Sequence, residues 1–233
     1  MSFKVYEGHI LITEPGGSPQ LYERFLMTCN PDGSRTLRTL TQSPKGDLLR
    51  DVNQIVAPDW RPIECLGRLF YKGKSHGSVL RSVTNDRLHS YVWSADGEVD
   101  TAEFHAPPHM TIGFHNIIHD SWKMCFMDTS THEMQEILPH SVSNTWNGRT
   151  LGHGLQIPSQ ARYDGTETLD LPAGRFECER FIWATSFGKE LHVWRTGTHH
   201  MLARMLVATG DKEGTVYELG AMTETATTWV PEA

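Results

Sequence analysis

The sequence predicts an all-β fold, a large curved antiparallel sheet of half-barrel or barrel form wrapped around one central helical segment. Three observations predict it. Alternating, strand-length segments recur about every 10 to 14 residues between Gly, Pro, Asn and Asp turns. One stretch, residues 114–128, carries apolar residues at helical spacing. No helix-length segments alternate with the strands, as a parallel βαβ sheet would require. The 233 residues suit one large β domain with a helical insertion near 114–128.

Taken in order, residues 6–13 alternate and stop at Glu14-Pro15-Gly16-Gly17. Residues 21–29 form a second strand, ended by Asn30-Pro31-Asp32-Gly33, in which each residue suits a turn. Residues 34–42, 48–57 and 63–71 follow, separated by the turn Ser43-Pro44-Lys45-Gly46-Asp47 and by the rigid corner Pro58-Asp59-Trp60-Arg61-Pro62. Residues 78–84 pair with 88–93 across Asn85-Asp86, and Asp96-Gly97 opens a hairpin to 98–105. The meander breaks at His105-Ala106-Pro107-Pro108-His109, and the helical stretch comes next. Within residues 129–146, HEMQEIL fits a short strand or a helical turn equally, and 142–146 read as irregular. Five strands close the chain at 161–171, 175–184, 191–195, 200–208 and 215–221; the tail after Thr223 is expected to fray. Between the first two of these strands, Pro172 presets φ for a turn and Gly174 can take a positive φ.

Composition narrows the function. Hydrophobic residues make up 38% of the chain, enough for a real core. A net charge of −7 argues against a nucleic-acid or acidic-membrane partner, which selects a basic surface. No run approaches the roughly 20 apolar residues of a membrane span. Glu7 and His9 interrupt the apolar residues near the start, so no export signal is read there. Cys29, Cys65, Cys125 and Cys178 lack CxxC spacing and are expected to be free thiols in a reducing cytoplasm. No GxSxG elbow exists, and Gly16-Gly17 and Gly152-His153-Gly154 match neither dinucleotide nor P-loop spacing. The expected partner is a hydrophobic or aromatic small molecule, held without an organic cofactor; a homodimer stays open.

The 13 His and 7 Trp supply the candidate chemistry. On a helix His115 and His119 would share a face, with Asp120 beside them. That pair could ligate zinc or iron, hold a proton-transfer role or anchor the helix; no HExxH glutamate accompanies it. His89, Tyr91 and Trp93 share one strand face, and Thr101, Glu103 and His105 share one face of the next strand. Together they could build a wall for proton transfer to an aromatic substrate, or the solvated outer face of the sheet. His192 shares a face with Trp194. Arg204 lies between Leu202 and Leu206, so a carboxylate or phenolate of a ligand, or else Glu177 or Glu179, is its expected partner. His119, Tyr91, Arg204, His105 and Asp120 are thus the catalytic candidates. His89, Trp60, Trp93, Trp122 and Trp194 are the ligand-binding ones. The inventory suits a lyase or isomerase acting on an apolar or aromatic molecule. A non-catalytic carrier of a hydrophobic ligand is the alternative, and a metal-dependent enzyme using His115 and His119 the third.

Several segments resemble a bacterial family of unknown function. They are Leu171-Pro172-Ala173-Gly174-Arg175-Phe176-Glu177-Cys178, Val193-Trp194, Met201-Leu202-Ala203-Arg204 and Tyr217-Glu218-Leu219. The family signature is a VPAGTF hairpin, a Trp strand, an LLVR strand and a terminal YEL. Arg50-Asp51-Val52, Asp59-Trp60-Arg61-Pro62 and His119-Asp120-Ser121-Trp122 are similar to features of its cytosolic members. The resemblance implies an antiparallel half-barrel or barrel similar to lipoprotein-carrier or lipocalin-like folds. It implies no catalytic residues.

Overall fold

The computed structural model describes residues 2–141 and 151–228; the expected irregular stretch at 142–146 lies outside them. The first half is an antiparallel meander: β1 (Ser2–Thr13), β2 (Gln20–Cys29), β3 (Arg35–Gln42), β4 (Leu48–Val56), β5 (Pro62–Tyr71), β6 (Lys74–Thr84), β7 (Arg87–Ser94) and β8 (Val99–His105). Three short strands follow, β9 (Met110–Gly113), β10 (Gln135–Ser141) and β11 (Leu155–Gln156). A second meander ends the chain: β12 (Ser159–Leu171), β13 (Gly174–Thr185), β14 (Glu190–Thr196), β15 (Met201–Val207) and β16 (Val216–Thr228). Pairing of β1 with β16 joins the two meanders, so the order runs β11-β10-β12-β13-β14-β15-β16-β1-β2 and on to β8. The result is one large curved antiparallel sheet, with β9 added to β10 in parallel.

Period-two alternation decides the inner face. On β2 it carries Glu23, Phe25 and Met27; on β3 Leu37, Thr39 and Thr41; on β4 Arg50, Val52, Gln54 and Val56; on β6 Val79 and Arg81. Charged and amide side chains therefore stand in register with the apolar core. Beyond β8 the chain turns inward and fills the concavity. Met110, Ile112 and Phe114 pack on Val52, Cys65, Val79 and Leu88. Gly67 makes room for this. A Cβ there would lie 2.1 Å from the Phe114 ring. Gln54 Nε2 donates to the Ile112 carbonyl at 2.8 Å, fixing β9 to the sheet.

The central helix is shorter than its pattern predicts. It is a 3-10 helix over Ile118–Met124. His115 has φ +55, so it stands outside the helix and shares no helical face with His119. All its residues but Lys123 are buried, so it is a plug between two walls. Phe114, Ile118 and Trp122 are buried as expected, whereas Phe126 is only half-buried and stacks on His109 at 4.9 Å. The tail expected to fray after Thr223 instead continues β16, pairing Glu224 with Tyr6 and Thr228 with Ser2. Gly174 takes φ +130 in the turn between β12 and β13.

Candidate functional site

The plug helix is anchored by a carboxylate from the opposite half of the chain. Glu23 is fully buried, and its Oε1 and Oε2 accept from the N–H groups of Ile118 and Ile117 at 2.9 and 3.0 Å. Thr41 Oγ1 donates to the same carboxylate at 2.8 Å. These are the N–H groups a helix start leaves unpaired. Burial pushes the Glu23 pKa up to about 7, against the pull of those donors and of Arg50. Arg50 in turn donates to the Tyr22 hydroxyl at 3.1 Å.

The plug and the strands of the second meander enclose a cavity of about 530 Å3. Ile117, Ile157, Trp183, Leu191, Met205 and Val207 line its apolar side. His115, His119, Asp120, Lys123, His140 and Ser141 line its polar side, and Phe187, Lys189 and Asp211 also border it. Lys123 pairs with Asp120 and lies over the Trp183 ring, 4.5 Å from its centroid. His115 Nε2 is 3.3 Å from Ser141 Oγ.

Two of these imidazoles, His119 and His140, are buried. The His119 ring lies where a Gly113 side chain would be, since a Cβ would come within 2.2 Å of its Cε1. Its Nδ1 is 3.0 Å from the Asn116 carbonyl. A carbonyl only accepts, so Nδ1 carries the proton. Burial, with Lys123 nearby, lowers the His119 pKa to about 4, so the ring is neutral near pH 7 and Nε2 is bare. His140 has the opposite tautomer. The Arg81 guanidinium donates through Nη1 to His140 Nδ1 at 3.1 Å, and through Nη2 to the Gly113 carbonyl. Burial, then Arg81, lowers the His140 pKa to about 3, so its one proton sits on Nε2. Both Nε2 atoms are buried and find no hydrogen-bond partner among the described residues. One is an acceptor and the other a donor.

Of the residues singled out from sequence, His115, His119 and Asp120 line this cavity. The others do not gather around it. His89, Tyr91 and Trp93 alternate with the buried Leu88 and Ser90 and so face outward; Tyr91 is 37% exposed. His105 is exposed on the edge strand, and Glu103 is engaged with Arg87 and His89 at 3.1 and 3.4 Å. The expected His-Tyr-Glu-Trp wall is therefore the outer face of the sheet. Arg204 alternates with the cavity-lining Met205 and pairs with Glu218 at 3.1 Å, rather than with Glu177, Glu179 or a group opposite His119. Trp194 is buried away from the cavity, its indole N–H on Glu167. Trp60 and Trp122 do meet, with ring centroids 5.5 Å apart, but as packing. Trp122 Nε1 donates to the His199 carbonyl at 3.2 Å, and Arg35 covers Trp60 at 3.8 Å. Among the described residues no three His, Cys, Asp or Glu side chains come together as metal ligands. His140, Arg81 and Glu23 escaped sequence reasoning, although parity placed Arg81 and Glu23 on apolar faces.

No family model matches the sequence, and no curated protein does. The fold has counterparts among solved structures. A β-barrel-like protein of the domain of unknown function DUF1849 from Brucella abortus superposes with a TM-score of 0.54 at 8% identity, over 96% of this chain and 97% of that one. A protein with a YmcC-like fold from Bacteroides fragilis gives 0.41 at 8% identity, over 95% of each chain. The first of these likenesses shows that this chain has a β-barrel-like fold.

Proposed function

We propose that this protein binds a small amphipathic molecule in the cavity between the plug helix and the second meander. The observation that carries this reading is the two-sided lining of the cavity, an apolar wall opposite a polar side of His115, His119, Asp120, Lys123, His140 and Ser141. A ligand head group that both donates and accepts hydrogen bonds would meet that polar side. The apolar wall of Trp183, Leu191, Met205 and Val207 suits the body of such a ligand, and a cavity of about 530 Å3 lies in the range for small-molecule sites.

Titration with the amphipathic fluorophore anilinonaphthalene sulfonate tests the reading. Leu191 is half-buried on the cavity wall, so Leu191→Trp fills the space without entering the core. Saturable binding to the native protein, lost in folded Leu191→Trp, is expected. Equal binding by both proteins would place the ligand elsewhere.

A second reading, proton-transfer catalysis of the lyase or isomerase kind, draws on the buried rings of His119 and His140. A bare Nε2 is a base, and a neutral imidazole N–H can polarise a carbonyl. A histidine whose pKa is lowered to about 4 is a weak base at neutral pH, which is why binding takes precedence. Deuterium from solvent entering a bound ketone beside its carbonyl, and failing to do so in His119→Asn, would favour catalysis.

A further inference from the structure

We infer that the ligand spans two adjoining cavities, and that the second one holds a neutral head group rich in hydroxyls, such as a sugar. This deepens the cavity reading and rests on it. The second cavity, of about 340 Å3, lies at the rim made by the β1–β2 and β3–β4 turns. Tyr22 lines both cavities, and the consecutive residues Asp211 and Lys212 line one each, so the two spaces adjoin at Tyr22. Two β-bulges shape this rim. Ile10 pairs with Glu23 and Leu11 with Leu21, so Tyr22 is an extra residue in β2. Thr41 pairs with Arg50 and Gln42 with Leu48, so Leu49 is an extra residue in β4. A bulge re-aims the side chains where it occurs, and both inserted residues line the second cavity. Arg50 holds the Tyr22 hydroxyl by donating to it at 3.1 Å. A hydroxyl that accepts from a cation still has its own hydrogen to give.

The lining of the second cavity selects the head group. Its charged members, Glu14 and Lys212, pair with each other at 2.9 Å. An anionic or cationic head group thus finds its counter-charge there already engaged. The other polar members are Ser18, Gln20, Gln42 and Ser43, with Tyr22 at the junction. Amides and hydroxyls both donate and accept, as does every hydroxyl of a sugar. The first cavity differs. Its wall of Trp183, Leu191, Met205 and Val207 suits an apolar tail. The polar side of the first cavity then receives the inner end of the head group, and the second cavity its outer hydroxyls.

The probes are octyl glucoside and octyl maltoside, below the concentrations at which they form micelles. Octanol, octyl sulfate and free maltose are the controls, and calorimetry of the native protein reads each affinity. At least one glycoside is expected to bind about tenfold or more tighter than octanol, octyl sulfate and maltose. Leu191→Trp fills the first cavity and Leu49→Trp the second, so glycoside binding should weaken in both folded variants. Gln42→Leu removes an amide without adding bulk, and it carries the test if Leu49→Trp does not fold. In it the advantage of glycoside over octanol should fall about threefold or more, the worth of a hydrogen bond. Glycosides that bind no tighter than octanol or octyl sulfate overturn the hydroxyl-rich subsite. So does an advantage unchanged in folded Leu49→Trp or in Gln42→Leu. Maltose that binds as tightly as the glycosides, or glycoside binding unchanged in Leu191→Trp, overturns the spanning ligand. In each of these cases loss of fluorophore binding in Leu191→Trp would still leave the cavity reading standing. Fluorophore binding that Leu191→Trp does not disturb overturns both.

Discussion

Gly113 decides where the His119 ring sits. Its missing side chain is the space the His119 ring occupies, and its carbonyl is one of the anchors that orient Arg81 behind His140. Gly113→Ala would drive a methyl group into the ring, a clash that the ring can relieve only by moving. A destabilisation of about 1–3 kcal/mol is expected from overpacking. Affinity for the fluorophore should fall about tenfold or more as the displaced ring reshapes the cavity wall. Fluorophore titration beside a thermal melt checks both. The same residues predict a pH profile. Folded His119 and His140 titrate at about 4 and about 3, below 6.5, so their stability contribution is complete above 6.5 and is lost as pH falls through those values. Glu23 runs the other way. Its pKa rises from 4.5 to about 7, so its contribution is complete below 4.5 and is lost as pH rises through about 7. Two histidines outweigh one glutamate, so melting temperatures should rise from pH 4 toward 6.5. His119→Asn should flatten that limb, each shift of this size being worth a few kcal/mol. A steeper limb in the variant would contradict the assigned burial. The parity of Arg50 with Val52 and Val56, and of Arg81 with Val79, was legible in the sequence as charge on an apolar face. What each charge touches was not, because the partners of Glu23 lie 94 and 95 residues away.

At the scale of elements, the plug is held by packing and by a remote cap rather than by helical propensity. A helix of 7 residues is too short to persist alone. Trp122, at 3% exposure, locks it against Trp60 and the His199 carbonyl. Trp122→Ala should therefore cost about 3–5 kcal/mol, the range for emptying a large aromatic site. A melt that overlays the native curve would show the residue carries no packing. The stretch from Phe114 to Asp128 announced a buried helical segment, because apolar residues crowd it. Its length and its tighter 3-10 winding were not legible. Residues so dense in apolar side chains fit several periods, and the positive φ of His115 is imposed by packing. The strands show the opposite case. Thirteen of them were readable, most near their observed bounds although β1 and β6 start earlier and β16 runs on to Thr228, since period-two patterns and turn residues are local signals. The parallel pair β9 and β10 was missed because its partners are set by topology.

For the whole molecule, the open sheet and its inward-turned middle segment create a cavity that neither half makes alone. The first meander supplies Glu23 and Arg81, which fix the plug and His140; the second supplies the apolar wall. The outer-face histidines and tyrosine drew attention because their chemistry is rich, but face is decided by which parity carries the core. The central claim is that the cavity between the plug and the second meander takes a bound amphipath. The most direct test is the imidazole-nitrogen NMR spectrum of the histidine-labelled protein at neutral pH, with and without saturating anilinonaphthalene sulfonate. The account predicts two neutral rings of opposite tautomer in the free protein, protonated on Nδ1 of His119 and on Nε2 of His140, and displacement of resonances of the cavity-lining His115, His119 and His140 by the ligand. A fluorophore that saturates its site while leaving all three histidines unmoved would contradict it.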